Sequence, residues 1–316
     1  MKYRVGVDIG GTKTVIGLVD DHGNVVQKTK FNTADIMPAG KDPVQNVSTW
    51  FRDFCAQFNV PLSSLWGATL GIPGIIDRTS QKIESCPNLR ILEGLAFGPA
   101  LTDALQLPVW VENDVNLIAL GEHGHGQGKG IADVAYIYVG TGIGCGLIIN
   151  NRLHTGATGA AGEFGHQIIE PEGLPCECGN RGCLELYCSG KALSRLASHS
   201  VGGAGERFTA AADLIQAAQQ QDQAAIEILD RAFTYLAYGV ANLLNLINPG
   251  MVVLGGGILT GWPQGRDQVK EVFSSRIRKI FYQQLAIEAP LLGQDAGLIG
   301  AADYVDEMLK NTAQRS

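Results

Sequence analysis

The chain has 316 residues, with 24 Lys+Arg against 31 Asp+Glu, a formal net charge of -7, 45% apolar residues, 41 Gly and 7 Cys. Apolar content of this size excludes an intrinsically disordered chain, which combines low hydrophobicity with high net charge. The acidic balance argues against a general nucleic-acid binder, because phosphate affinity is built from Lys and Arg clusters, and glycine stands well above its usual share of about 7%, calling for many turns and close backbone approaches.

At about 100–200 residues per domain, the length fits two domains or one large one. From Tyr3 to Ile9 apolar residues alternate at Val5, Val7 and Ile9; Thr14 to Val19 is a β-branched run, and a third strand is expected at Val25 and Val26. Gly10-Gly11-Thr12-Lys13 and Asp21-His22-Gly23-Asn24 join them, so the chain opens as an antiparallel meander. Asp42-Pro43 reads as an N-cap followed by proline at the first helical position, and Val44, Val47, Phe51, Phe54 and Phe58 follow at helical spacing. Strands are expected at Trp66 to Ile72 and at Pro108 to Val111, the second ending in Glu112-Asn113-Asp114 ahead of an apolar helix. Strand ends are where sites sit in α/β sheets.

Val134 to Val139, the turn Gly140-Thr141-Gly142-Ile143-Gly144 and a strand to Ile149 echo the opening pattern, a weak internal repeat that predicts two related α/β domains. Ile226, Leu229, Phe233, Leu236, Val240, Leu243 and Ile247 mark a long helix, which the breaker Asn248-Pro249-Gly250 separates from a buried-type strand at Met251 to Leu254. A helix near Val269 to Ile280, a strand near Ala286 and a helix from about Leu298 are expected after it. Neither long uncharged stretch, 133–152 or 232–265, is an unbroken apolar span, so no membrane is expected. The start, MKYRVGVDIGG, has no signal-peptide run, which points to a cytoplasmic chain whose cysteines are thiols or metal ligands.

Three glycine-rich turns follow three strands, after Ile9, Val139 and Leu254. Any one of them could be a tight hairpin; three favour a nucleotide, because successive N–H groups in such turns hold phosphate oxygens. Neither the P-loop spacing nor the dinucleotide-fold spacing is present. His166, Cys176, Cys178 and Cys183 offer four ligands within eighteen residues, the pattern of a closed tetrahedral Cys3His zinc site, with Cys188 as a possible substitute. Cys55, Cys86 and Cys145 read as small core residues, and His123 and His125 as solvated histidines of a glycine-rich loop. Taken alone, Asp114 reads first as an N-cap, and a functional role for its carboxylate has to be argued from its neighbours.

Taken together, DIGGTK at Asp8 to Lys13, ENDVN at Glu112 to Asn116, GTGIGCG at Gly140 to Gly146, GEFGH at Gly162 to His166, CECGNRGCLE at Cys176 to Glu185 and VLGGG at Val253 to Gly257 resemble the ROK family of bacterial sugar kinases, repressors and open reading frames. The likeness runs from about Val5 to Ala302. It implies an α/β two-domain actin-like ATPase (ribonuclease H-like) fold with nucleotide and sugar in the inter-domain cleft. Residues 1–115 would form one domain, with a helix of about 300–316 packing back on it, and 116–299 the other, carrying the zinc site.

By the same resemblance Asp8 would organise Mg2+; Gly10, Gly11, Thr12, Gly140, Thr141 and Gly142 would cradle the ATP phosphates, and Gly256 and Gly257 would line the adenosine. Asp114 would be the general base of phosphoryl transfer to a hexose, whose other hydroxyls would be held by Asn113, Glu163, His166 and Glu185. The zinc would be structural, orienting His166 through one ring nitrogen and leaving the other for a sugar hydroxyl. The glucokinase branch of the family is most similar, with N-acetylmannosamine, N-acetylglucosamine, allose and fructose kinases as alternatives. The rival of another class is a non-catalytic sugar-sensing regulator; such relatives carry a helix-turn-helix ahead of the DIGGT motif, where only seven residues stand here. A homodimer or homotetramer is expected.

Overall fold

The computed structural model describes residues 2–199, 208–275 and 283–315. They group into two compact units: 1–130 with 146–161 and 291–316, and 131–145 with 162–290. In the first unit β1 (Tyr3–Ile9), β2 (Lys13–Val19) and β3 (Val25–Asn32) form the expected meander, followed by α1 (Thr33–Ile36), α2 (Pro43–Gln57), β4 (Leu65–Ile72), the hairpin β5 (Ile75–Asp77) and β6 (Lys82–Ser85), α3 (Phe97–Leu105), β7 (Val109–Asn113) and α4 (Asp114–His125). The sheet order is β3-β2-β1-β4-β7, with β4 parallel to both β1 and β7. Asp42 caps α2 by accepting the N–H of Val44 at 2.9 Å, and Val47, Phe51 and Phe54 are buried against the sheet.

Both faces of β1 are covered. Val5, Val7 and Ile9 supply one face, as their alternation predicts, and on the other a Cβ at Gly6 would lie 2.6 Å from the carbonyl oxygen of Leu298. Leu298 belongs to the C-terminal helix (Ala296–Arg315), which packs on β1, β4 and α4 and buries Leu298, Ala301, Tyr304 and Val305. A strand with glycine at the helix crossing is needed to let the two backbones approach so closely.

The outer edge of β7 is closed by side chains. Val109 donates its N–H to Thr102 Oγ1 at 3.0 Å, and Val111 donates its N–H to Gln81 Oε1 at 2.6 Å. Polar side chains thus occupy an edge that would otherwise offer a pairing surface to another strand. The β5–β6 hairpin and α3, which supply Gln81 and Thr102, were not anticipated: their apolar runs are too short to carry a period.

The second sheet has the order β10-β9-β8-β11-β12, from β8 (Val134–Val139), β9 (Ile143–Ile149), β10 (Arg152–Leu153), β11 (Met251–Gly255) and β12 (Ala286–Glu288). β11 runs parallel to β8 and β12, so three sequential neighbours and two parallel strands repeat the topology of the first sheet. The echo between residues 3–19 and 134–149 is therefore a repeat of a whole sheet. Between β10 and β11 lie α5 (Glu185–Cys188), α6 (Gly190–His199), α7 (Ala211–Gln219) and α8 (Gln223–Ile247), and after β11 come α9 (Gly257–Gly261) and α10 (Gly265–Ser274). The helix expected near Val269 to Ile280 is seen as far as Ser274, and 276–282 lie outside the described residues. α8 starts at the Asp222 cap and ends at Asn248, whose φ of 48 is left-handed, with Leu229, Phe233, Leu236, Val240 and Leu244 buried.

Candidate active site

The C-terminal ends of parallel β1, β4 and β7 lie along one edge of the first sheet, where Asp8 pairs across to Gly71 and Gly71 to Glu112. Burial pushes the Asp8 carboxyl above its ordinary 3.8. Beyond it, Gly10 donates its N–H to Lys13 O at 2.9 Å, closing the β1–β2 turn. Thr33 fixes that turn from outside: its hydroxyl donates to Gly10 O at 2.6 Å and its N–H to Thr12 O at 2.9 Å. Asn88 stands beside Gly11, 3.4 Å from where a Cβ would sit, a neighbour that no sequence spacing indicated.

At the β7–α4 junction the cap is Asn113, whose Oδ1 accepts the N–H of Val115 at 2.9 Å and of Asn116 at 3.1 Å. This corrects the N-cap reading of Asp114, which is instead the first helical residue. Asn113 Nδ2 donates to Gly74 O at 3.1 Å, so one amide hydrogen remains for a further acceptor.

In the second unit Glu163, His166 and Glu185 are brought together. His166 Nε2 is 3.7 Å from Glu163 Oε2, and His166 Nδ1 is 3.6 Å from Glu185 Oε1. Burial pushes the Glu163 carboxyl above its ordinary 4.5; His166 opposes the shift and Glu185 adds to it. His166, Cys176, Cys178 and Cys183 also converge, one ligand atom from each lying within 4.8 Å of the others. Cys178 Sγ is 3.6 Å from Cys183 Sγ, and Cys176 Sγ is 3.6 Å from His166 Nδ1. Zinc bonds of about 2.3 Å to sulfur and 2.0–2.1 Å to nitrogen place tetrahedral ligands roughly 3.5–3.8 Å apart; the Cys178–Cys183 and Cys176–His166 Nδ1 spacings match this, and the donor set is one that could hold zinc, with Nε2 of His166 toward Glu163.

The glycine turns of this unit leave room. A Cβ added at Gly140 or at Gly257 would meet nothing within 4 Å, whereas one at Gly142 would lie 3.2 Å from Glu185 Oε2. Gly140 O and Thr141 O accept the N–H groups of Gly190 and Lys191 at 2.8 and 3.1 Å, which holds the turn still. Gly256 has φ +96 and a Cβ there would sit 2.4 Å from Val139 O, so only glycine fits at the end of β11. Thr12, Gly10 and Gly11 belong to one unit, and Gly140, Thr141, Gly142, Gly256 and Gly257 to the other.

The ROK family model matches residues 4–308, all but the extreme ends of the chain. The chain belongs to the ROK family. It is similar to a glucokinase of Thermotoga maritima, 31% identical over 96% of this chain and 98% of the relative. It is also similar to the crystal structure of a ROK family glucokinase from Streptomyces griseus in complex with glucose and AMPPNP, with a TM-score of 0.81 and 30% identity over 96% and 99% of the two chains. A xylose repressor of Bacillus subtilis is 31% identical over 96% of this chain and 77% of its own length. The two-domain actin-like ATPase fold expected from the motifs is the fold of this ROK chain.

Several smaller readings of the ROK chain are also settled by the structure. His123 and His125 stand in the last turn of α4 and not in a loop, and His125 Nε2 pairs with Asp303 Oδ1 at 3.1 Å. Cys55, Cys86 and Cys145 are buried as expected, and burial pushes the Cys86 thiol up to about 11. Cys188 is buried within α5, and Lys13 is exposed at the start of β2. No described helix is long and apolar enough to cross a membrane. Sequence reasoning missed Glu122, fully buried on α4, which accepts the N–H groups of Gln127, Leu291 and Leu292 at 3.0, 3.0 and 2.7 Å. It also missed Arg78, which faces Glu112 Oε2 at 3.1 Å; a partner 34 positions away in sequence leaves no local signal.

Proposed function

We propose that this ROK chain is an ATP-dependent hexose kinase, a glucokinase that makes glucose 6-phosphate, with Asp114 as the general base. The observation that carries the reading is the arrangement at the β7–α4 junction: Asn113 caps the helix through the N–H groups of Val115 and Asn116, and the adjacent Asp114 carboxylate, whose Oδ1 shares the Val115 N–H at 2.9 Å, stands at the C-terminal end of β7. Asp114 accepts the proton of the attacking sugar hydroxyl as that oxygen bonds the γ-phosphorus; the bond from phosphorus to the β–γ bridging oxygen breaks, and ADP leaves.

Glu163, Glu185, the Nε2 of His166 and the remaining amide hydrogen of Asn113 hold the other sugar hydroxyls, since a polyol is oriented by several fixed acceptors and donors. Asp8 would hold Mg2+, which supplies charge neutralisation for the phosphates. Gly10, Gly11, Thr12, Gly140, Thr141 and Gly142 admit the phosphates and Gly256 and Gly257 the adenosine, in keeping with the open space at Gly140 and Gly257. The Cys3His quartet would hold structural zinc, with Cys176, Cys178 and Cys183 as thiolates. Cytoplasmic location, and assembly as a homodimer or homotetramer, belong to the same proposal.

N-acetylmannosamine, N-acetylglucosamine, allose and fructose kinases are the neighbouring alternatives, because epimers differ only in which acceptors stay unpaired. A sugar-sensing regulator is the second reading, and the similarity to a xylose repressor favours it. A coupled ADP-release assay with Mg-ATP across glucose, mannose, fructose, allose, N-acetylglucosamine and N-acetylmannosamine decides: turnover on glucose above the others is expected. Zinc-loaded, folded protein that turns over none of them while its thermal midpoint rises with one sugar supports the regulator instead.

A further inference from the structure

We propose that Arg78 and Glu112 act as one ion pair, buried at its carboxylate and half-buried at its guanidinium, that sets the direction of the Asp114 carboxylate, which makes both of them positioning residues for phosphoryl transfer. The proposal rests on the reading of Asp114 as the base.

Glu112 is the first residue of the ENDVN motif, and none of the sugar or nucleotide roles uses it. Its side chain is 2% exposed, at a depth where a carboxylate needs a counter-charge and hydrogen bonds to be tolerated. Both are supplied. Glu112 Oε1 accepts the backbone N–H of Asn113 at 2.9 Å and the side-chain amide of Asn116 at 3.0 Å, while Oε2 faces Arg78 Nε at 3.1 Å. Asn116 in turn donates its backbone N–H to Asn113 Oδ1 at 3.1 Å. Residues on both sides of Asp114 are therefore tied into one ring, closed through Glu112, and the backbone that carries the Asp114 side chain has its direction set by that ring.

Arg78 comes from the β5–β6 hairpin, and its guanidinium is itself fixed from two other segments. Nη1 donates to Thr155 Oγ1 at 3.2 Å, and Nε and Nη2 donate to the hydroxyl of Tyr304 at 3.2 and 3.1 Å. Thr155 is 7% exposed and Tyr304 is fully buried, so both acceptors sit in packed surroundings. Burial works against the Arg78 charge, and Tyr304, Glu112 and Glu307 together more than offset it. A planar fork that donates to two hydroxyls while its charge faces a carboxylate in a fixed geometry is a property of arginine that lysine lacks. Apolar residues would fill the same space at lower desolvation cost, and what the pair adds over them is direction.

The test compares wild-type enzyme with Glu112→Gln, Arg78→Met, the double variant and Arg78→Lys, measuring kcat per folded chain, KM for ATP, sugar affinity by calorimetry and thermal midpoint. Each single variant is expected to lose about 10–100-fold in kcat, the loss that goes with a misdirected catalytic group, with sugar affinity and KM for ATP within about twofold of wild type. The double variant should be no slower than the slower single one, and Arg78→Lys should recover only part of the loss. Singles that lower the midpoint but keep kcat would overturn the proposal, as would losses that simply multiply in the double variant. Should a charge variant fail to fold, Tyr304→Phe removes one oxygen from the Arg78 anchor and keeps the ring; a kcat loss of at least about threefold supports the pair, and an unchanged kcat overturns it. Wild-type protein without turnover on any sugar defeats the kinase reading and this proposal together, whereas wild-type turnover with unaffected variants defeats this proposal alone.

Discussion

Asn113 Oδ1 accepts the N–H of Val115 at 2.9 Å, which makes Asp114 the first residue of α4 instead of its cap. A substitution at Asp114 therefore leaves the cap in place. Asp114→Asn should lose about 10^2–10^4-fold in kcat while still binding sugar. Its stability should fall by no more than about 1 kcal/mol, the worth of an acidic side chain in a first helical turn. The coupled assay and a thermal melt with and without glucose measure both, and near-wild-type turnover would remove Asp114 as the base.

Asn113 should show the opposite balance. Asn113→Ala removes its two cap bonds, of which only the Asn116 N–H is left without an acceptor since Asp114 Oδ1 also takes the Val115 N–H, and the amide bond to Gly74 O, so it should cost about 1 kcal/mol as well as turnover. Asn113→Ser restores a capping oxygen and should recover most of the stability but not the kcat. Equal melting midpoints for the alanine variant and wild type would show that the cap contributes nothing.

How far the sequence led can be judged from these neighbours. The opening meander, the Asp42-Pro43 helix start and the strand at Val134–Val139 carry strong local signals, periodicity and cap chemistry, and the structure has them at the expected residues. The convergence of His166, Cys176, Cys178 and Cys183 was legible because the four crowd into one short stretch. What was not legible depends on partners far apart in sequence: Glu112 with Arg78, Glu122 with Leu291, Val111 with Gln81. A carboxylate at the end of a strand looks the same in sequence whether it meets solvent, a substrate or a buried guanidinium.

Zinc occupancy gives a third prediction. Wild-type protein should carry one tightly held zinc per chain, and Cys178→Ser or prolonged chelation should release it, lower the melting midpoint and weaken sugar binding, since His166 loses the bond that orients its ring. Elemental analysis together with a melt tests this. Cys178→Ser protein with a full equivalent of zinc and an unchanged midpoint would sink the ligand assignment.

Glu122 supplies a prediction about stability alone. Its carboxylate accepts three backbone N–H groups in a fully buried position, at Gln127, Leu291 and Leu292. Glu122→Leu strands all three donors and should cost about 3 kcal/mol or more in denaturant unfolding. Glu122→Gln, which keeps one acceptor oxygen, should lose less, and a leucine variant as stable as wild type would contradict the accounting.

Asp8 carries a pH dependence with a definite sign. Its folded-state carboxyl lies above the ordinary 3.8, so the folded chain holds this proton more tightly than the unfolded chain does. From this group alone, stability is highest below about pH 4 and falls as pH rises through the folded value. At neutral pH Asp8→Asn should therefore be at least as stable as wild type when Mg2+ is absent, and Mg-ATP should raise the midpoint of wild type more than that of the variant. Equal Mg-ATP stabilisation of the two proteins would argue against Asp8 as the metal-organising group.

The contact of Gly6 with Leu298 joins the first strand of the chain to its final helix. During synthesis on the ribosome, at about 5–20 residues per second, β1 emerges long before the helix that covers its second face. The first sheet must wait for that helix with one face uncovered while the whole of the second unit is made. The second sheet, by contrast, has all its strands by Glu288 and can mature earlier. Order of synthesis and order of completion are thus reversed: of the two sheets, the one whose strands are made first is the one whose second face is covered last.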